Sequence, residues 1–260
     1  MAATWESSLL DKAPGHFTNE VLPLIHGPTV TIRIEPPSRE FIVSKDLLGK
    51  QSSYFAKMFD GKFFEGKTNG ATLKVIEGVL SLRSFEMLLQ WLYIGNITYY
   101  SEDAGARISA LIELARLADM CAVHALEAAT AKFIKDLILT TSDLARVGHK
   151  KNPNANTYAL SSHNIQSATE LPQGHEVRAV LAGASFEGYL LSKNHKFHAL
   201  ILENPQFRRD LICELEKGLK QAGPSTGYLV DPISGRSFHI NAREVSELSQ
   251  FINSDKLDAA

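Results

Sequence analysis

The sequence predicts an α+β fold, and three stretches carry that prediction. Thr29-Val30-Thr31-Ile32-Arg33-Ile34 alternates β-branched residues with the period of a strand. The segment from Phe41 to Phe59 ends a second strand at Phe41-Ile42-Val43 and then turns into two short helices. Further on, Ile108, Leu111, Ile112, Ala115 and Ala118 recur at helical spacing, and Leu126, Phe133, Ile134 and Leu137 do the same.

Taken in order, residues 1–27 place Trp5, Leu9 and Leu10 among polar residues and prolines, which predicts a tail with at most a short helix over residues 7–12. Pro36-Pro37-Ser38 interrupts the first strand, and Arg39 to Val43 returns as its hairpin partner. Ser44 is placed to cap the next helix, with Asp46 in its first turn, Leu47 and Leu48 facing inward and Gly49 ending it. Ser52 or Ser53 restarts a second helix, in which Tyr54, Phe55, Met58 and Phe59 share helical spacing. After a loop from Asp60 to Gly66 and a turn at Asn69-Gly70, Thr72 to Ile76 forms a third strand. Ser84 is expected to cap a helix presenting Phe85, Leu88, Leu89 and Leu92, which Gly95 ends in the left-handed conformation. Ile97-Thr98-Tyr99 reads as a brief strand, followed by helices from Ile108 to Cys121 and from Ala122 to Leu139.

Beyond residue 139 the composition changes. Residues 140–170 are rich in Ser, Thr, Asn, Lys and His and read as a polar connection. Residues 171–222 form a helical region, with one helix from about His175 and another opened by Asn204 as cap and Pro205 in its first turn. That second helix turns Phe207, Leu211, Ile212, Leu215 and Leu219 inward. Residues 223–260 predict a hairpin, Tyr228 to Val230 with Phe238 to Ile240, and a short terminal helix over residues 242–252.

The 260 residues are 44% hydrophobic and 22% charged, ordinary values for a globular protein. A formal net charge of -2 gives no electrostatic case for nucleic acid. Two cysteines far apart in sequence suit a reducing compartment rather than a disulfide framework. Neither a secretory signal nor an apolar run of membrane-spanning length is visible, so a cytoplasmic or nuclear protein with no membrane partner is expected.

The strand and helix pair of Phe41 to Phe59, with Tyr54-Phe55-Ala56-Lys57-Met58-Phe59 at its end, resembles the start of a BTB/POZ domain. The Phe41-x-Val43-x-Lys45-Asp46-Leu47-Leu48 pattern is similar to that of the BTB proteins common in fungi, with Ser44 where a His is usual. Trp91-Leu92-Tyr93-Ile94-Gly95 resembles the family's Tyr-Leu-Tyr-Thr-Gly element, and Leu114 to Asp119, with Ala118 and Asp119 closing it, its Leu-Ala-x-x-Tyr/Leu-Ala-Asp helix. The resemblance assigns residues 28–139 to a BTB/POZ domain, a short sheet flanked by helices. It implies a non-enzymatic protein-binding module without a cofactor.

The same resemblance nominates partner-binding residues. Family members that recruit a cullin scaffold of ubiquitin ligases carry a hydrophobic-x-Glu pattern in the loop occupied here by Phe63-Phe64-Glu65. Many also carry a Tyr at the position of Cys121. Homodimerisation through an N-terminal helix and first strand is implied as well, which singles out Leu9 and Leu10. Lys45 matches the basic residue of the transcription-factor class, whereas Thr29 replaces its acidic partner. The implied functions are a substrate adaptor of a cullin-based ligase or, alternatively, a dimerising scaffold in transcription or chromatin regulation.

Three other motifs invite chemistry. His195 and His198 lie one helical turn apart, but no acidic or cysteine ligand has a matching spacing, so surface imidazoles are expected rather than a metal site. Cys213, like Cys121, is expected to be a buried packing thiol. Gly61-x-x-x-x-Gly66-Lys67-Thr68 has the letters of a phosphate-binding loop. It follows a helix rather than a buried strand and leads to Asn69-Gly70 instead of a long helix, so nucleotide binding is not expected.

Overall fold

The alternation of the first strand becomes one buried face of a sheet. In the computed structural model, which describes residues 14–148, 152–222 and 228–240, β1 (Thr29–Glu35) pairs antiparallel with β2 (Arg39–Ser44). It pairs parallel with β3 (Gly70–Lys74), giving the order β2-β1-β3. Val30, Ile32 and Ile34 are buried, and their register partners Val43 and Ala71 are buried beside them. On the other face Arg33 donates from Nε to Glu40 Oε1 across the strands at 3.0 Å. The sheet belongs to the first of two compact units, residues 1–102 with 109–130; the second is residues 103–108 with 131–260.

Residues 14–25, predicted as part of a tail, are helical: α1 (Pro14–His16), a π-helical turn (Phe17–Val21) and α2 (Leu22–Ile25). They are tied down, which is what orders a terminus. Val21 is buried, the Leu24 carbonyl accepts from the Ser44 hydroxyl, and Gly27 lies so close to Asp46 that a Cβ there would meet its carboxylate at 2.5 Å. The predicted helix over residues 7–12, with Trp5, Leu9 and Leu10, lies outside the described residues.

Two serine caps build the helix pair. Ser44 accepts from Leu47 N at 3.2 Å to open α3 (Lys45–Gln51), and Ser52 accepts from Phe55 N at 3.1 Å to open α4 (Ser53–Met58). Gly49 does not end α3, which runs on to Gln51. Each cap also donates: Ser44 to Leu24, and Ser52 to the Cys121 carbonyl at 2.6 Å. The Ser44 amide donates to the Tyr93 hydroxyl at 2.7 Å, so a residue of the Trp-Leu-Tyr-Ile-Gly element fixes the junction of β2 and α3. Leu47, Leu48, Phe55 and Phe59 are buried, while Phe41, Tyr54, Met58 and Trp91 are half-buried around them.

After α5 (Phe64–Thr68) and β3, α6 (Leu82–Ile94) starts one turn earlier than predicted. Ser81 is its cap and Ser84 sits at the third position, each side chain serving the other's backbone. Gly95 takes φ 68 and ends the helix as predicted. Ile97 to Tyr99 forms no strand; the Thr98 amide donates to Gln90 Oε1 at 2.7 Å, a side chain standing in for a neighbouring strand. α7 (Ala104–Met120) and α8 (Ala125–Gly148) follow, separated by Ala122 in the left-handed region at φ 53.

The polar stretch over residues 140–170 is not simply a connection. α8 continues to Gly148, and α9 (Ser162–Thr169) opens with a reciprocal cap between Ser161 and Asn164. Two of its polar residues are satisfied in the interior: Ser142 donates to Asn156 Oδ1 at 2.7 Å, and Asn156 donates to Asp231 at 3.0 Å, all three buried. The second unit continues with α10 (Glu176–Leu191), α11 (His198–Glu203) and α12 (Pro205–Ala222). His175 caps α10 through Nδ1, and Asn204 accepts from Phe207 N at 2.9 Å ahead of Pro205, as read from the sequence. The predicted hairpin is β4 (Tyr228–Val230) with β5 (Ser237–His239). The predicted terminal helix over residues 242–252 lies outside the described residues.

Candidate protein-interaction site

The loop joining α4 to β3 is stitched at both ends. Asp60 accepts from Lys62 N at 2.8 Å, and its carboxylate lies 3.2 Å from Lys62 Nζ. That backbone bond leads the effects that hold Asp60 below the usual carboxylate range, with the charges of Lys62 and Lys45 adding to it. Lys67 N donates to the Phe63 carbonyl at 3.2 Å, and Thr68 Oγ1 donates to the Phe64 carbonyl at 2.9 Å. Asn69, left-handed at φ 51, returns its amide to the Glu65 carbonyl, and its own carbonyl accepts from Thr31 of β1.

This frame turns two aromatic rings outward: Phe63 is 56% exposed and Phe64 74%. Leu22, Ile42, Ile94 and Tyr100 are also exposed in this unit, but singly, which is ordinary; Val75 and Ile76 form a second adjacent pair that is less exposed, and they are aliphatic. Glu65 is half-buried on the same short helix. Its charge reaches Tyr54, whose hydroxyl is pushed up chiefly by burial and then by Cys121 and Glu65.

The other nominated residues lie elsewhere or inside. Cys121 is fully buried and its thiol is pushed up to about 12 by burial, so as a surface anchor for a partner it is corrected; it packs, as its second reading held. Ala118 is buried and Asp119 exposed. Lys45 is half-buried, and its amide donates to the Pro28 carbonyl at 2.8 Å. Leu9 and Leu10 lie outside the described residues.

Two expectations are reversed. Cys213 is exposed, because a step of two residues from Leu211 turns it away from the stripe of Leu211, Ile212 and Leu215. His195 is buried rather than on the surface, with only 3% of it exposed. Among the described residues no group of three or more His, Cys, Asp or Glu is placed to hold a metal ion. No described helix is long and apolar enough to cross a membrane.

His195 instead makes stability depend on pH. Burial, and then the charges of His198 and Lys196, lower its pKa from 6.5 to about 4. Below pH 6.5 the unfolded chain takes up a proton that the folded chain refuses until pH falls to about 4, so this group's contribution to stability declines across that window on acidification. The decline approaches about 1.4 kcal/mol per pH unit. Denaturation at pH 7 and pH 5 should show a smaller loss for His195→Gln than for the unsubstituted chain; equal losses would contradict the assignment.

The two adjacent rings, displayed on a hydrogen-bonded loop, form a small exposed apolar patch on this α+β unit. The family follows from residues 26–137, which match the family model of the BTB/POZ domain. This part of the chain is therefore a BTB/POZ domain, a protein–protein interaction module built on a small mixed sheet and many helices. No curated protein matches the chain.

The phosphate-loop letters are accounted for by the same geometry. Gly61 to Thr68 follows helix α4, not a strand, and ends in the five-residue α5. Gly66 lies against Gly61, and a Cβ on Gly66 would come within 2.4 Å of the Gly61 nitrogen. Phe63, Phe64 and Glu65 are legible as a pattern in the sequence, whereas this glycine closure is not. Its signal, two glycines five residues apart, coincides with the letters of the phosphate motif.

Proposed function

We propose that this protein is a non-enzymatic adaptor whose BTB/POZ domain docks on a cullin scaffold of a ubiquitin ligase through Phe63, Phe64 and Glu65. The observation that carries the proposal is the outward display of both phenylalanines beside Glu65 on a hydrogen-bonded loop. A specific interface buries about 1,200–2,000 Å² in total, and a few central aromatic anchors supply most of its energy. Burial of Cys121 leaves those anchors to the loop. The second unit is then free to carry whatever the ligase modifies.

Titration calorimetry of the full chain with a purified cullin N-terminal domain tests the reading. Phe63→Ala should weaken binding by about 2 kcal/mol or more, a hot-spot-sized loss. The melting temperature should change little, because the ring is already largely in water. No binding by the unsubstituted chain, or equal binding by the variant, rejects cullin docking. A chain that fails to bind but sediments as a dimer behaves as the dimerising scaffold in transcription or chromatin regulation would.

A further inference from the structure

Gly61 and Gly66 serve neither the sheet nor the buried core, yet the loop closes on them. Gly61 takes φ +89, a conformation that L side chains rarely adopt, with open space around its Cβ position. Gly66 faces the opposite demand: a Cβ there would stand 2.4 Å from Gly61 N, 2.8 Å from Gly61 Cα and 3.1 Å from the Phe59 carbonyl carbon. All three neighbours are backbone, so no flexible side chain can swing aside.

We propose that Gly61 and Gly66 are positioning residues that pre-set the outward display of Phe63 and Phe64, so that docking does not have to order the loop. This rests on the docking reading above for its partner and on the loop geometry for its mechanism. The chain leaves Gly61, carries the two rings round and returns to touch its own start at Gly66. Within that closure the Phe63 carbonyl accepts from Lys67 N and the Phe64 carbonyl from Thr68 Oγ1. The Lys and Thr that would serve phosphate in a nucleotide site are thus engaged by backbone amide and hydroxyl with the two residues on display. Binding improves when a loop is held beforehand in its bound conformation, because less freedom is lost on association.

The test uses the full chain and two readouts, one independent of any partner. Chymotrypsin cuts after exposed phenylalanines only when the surrounding backbone opens, so cleavage at Phe63 and Phe64, identified by fragment mass, reports the closure. Gly66→Ala should be cut at these sites about 10-fold faster than the unsubstituted chain with an unchanged melting temperature. Where the cullin domain binds the unsubstituted chain, Gly66→Ala should weaken it about 10-fold, or about 1.4 kcal/mol. Equal cleavage rates overturn the proposal, and so does a fall in melting temperature large enough to account for the cleavage. If the unsubstituted chain does not bind the cullin domain, the docking reading fails while the cleavage comparison still decides the closure. Should Gly66→Ala not fold, Gly61→Ala and hydrogen exchange take its place: the Lys62 and Lys67 amides must be protected in the unsubstituted chain and exposed in the variant, and unprotected amides in the former refute it.

Discussion

Phe55→Ala will destabilise the BTB/POZ domain by about 3–5 kcal/mol, the range for an aromatic side chain removed from a packed core. Phe55 is fully buried, its amide is engaged by the Ser52 hydroxyl, and its ring meets that of Tyr54 edge-on with centroids 5.3 Å apart. Truncation leaves a void that rigid neighbours fill only in part. Chemical denaturation followed by a signal from this unit measures the effect, and a loss below about 1 kcal/mol would show that the ring is not a core element. Phe63→Ala, eight residues further on but exposed, is the matched contrast, with a large expected effect on binding and a small one on folding.

A loss of similar size is expected in the second unit when its buried ion pair is broken. Arg178 binds Asp210 in a two-pronged pair, Nε to Oδ2 at 2.9 Å and an Nη to Oδ1 at 3.0 Å, and both side chains are buried. A further guanidinium nitrogen donates to the Leu171 carbonyl at 2.7 Å. Burial pushes the Asp210 carboxyl upward, with Arg178 opposing it. Arg178→Met leaves that carboxyl buried without its cation and should cost about 3–5 kcal/mol. Replacing both partners, Arg178→Met with Asp210→Leu, should recover much of that loss, since no unpaired charge remains. If the double variant were as unstable as the single one, packing rather than charge would explain the site. One guanidinium thereby joins α10, α12 and the backbone ahead of α10.

What could be read from the sequence was what short range decides. Ser44, Ser52, Gly95, Asn204 and Pro205 act on residues within one turn of themselves, and each does what its local chemistry predicts. The strand alternation likewise needs no knowledge of distant partners. Two of the departures have the opposite cause, whereas Gly49 and Ser84 were one-turn errors in placing a helix end. Asn156 looks like loop material until Asp231, 75 residues on, accepts its hydrogen bond. Residues 14–25 look like a tail until Ser44 holds the Leu24 carbonyl. At the candidate site the pattern Phe63-Phe64-Glu65 was legible, whereas the closure of Gly66 on Gly61 depends on a backbone path that residue identities alone do not draw.

The doubled use of Ser44 and Ser52 narrows which residues either position will tolerate. Asp and Asn cap helices about as well as serine does, so substitution tables for helix starts treat the three as near equivalents. Here the same oxygen must accept from a helix amide and also give a proton to a remote carbonyl, Leu24 in one case and Cys121 in the other. A carboxylate has no proton to give and would turn a negative charge toward a carbonyl oxygen in a buried setting. Both positions therefore call for a side chain that donates as well as accepts, which rules out aspartate, and a cap that looks interchangeable along the chain is chemically specific in the fold.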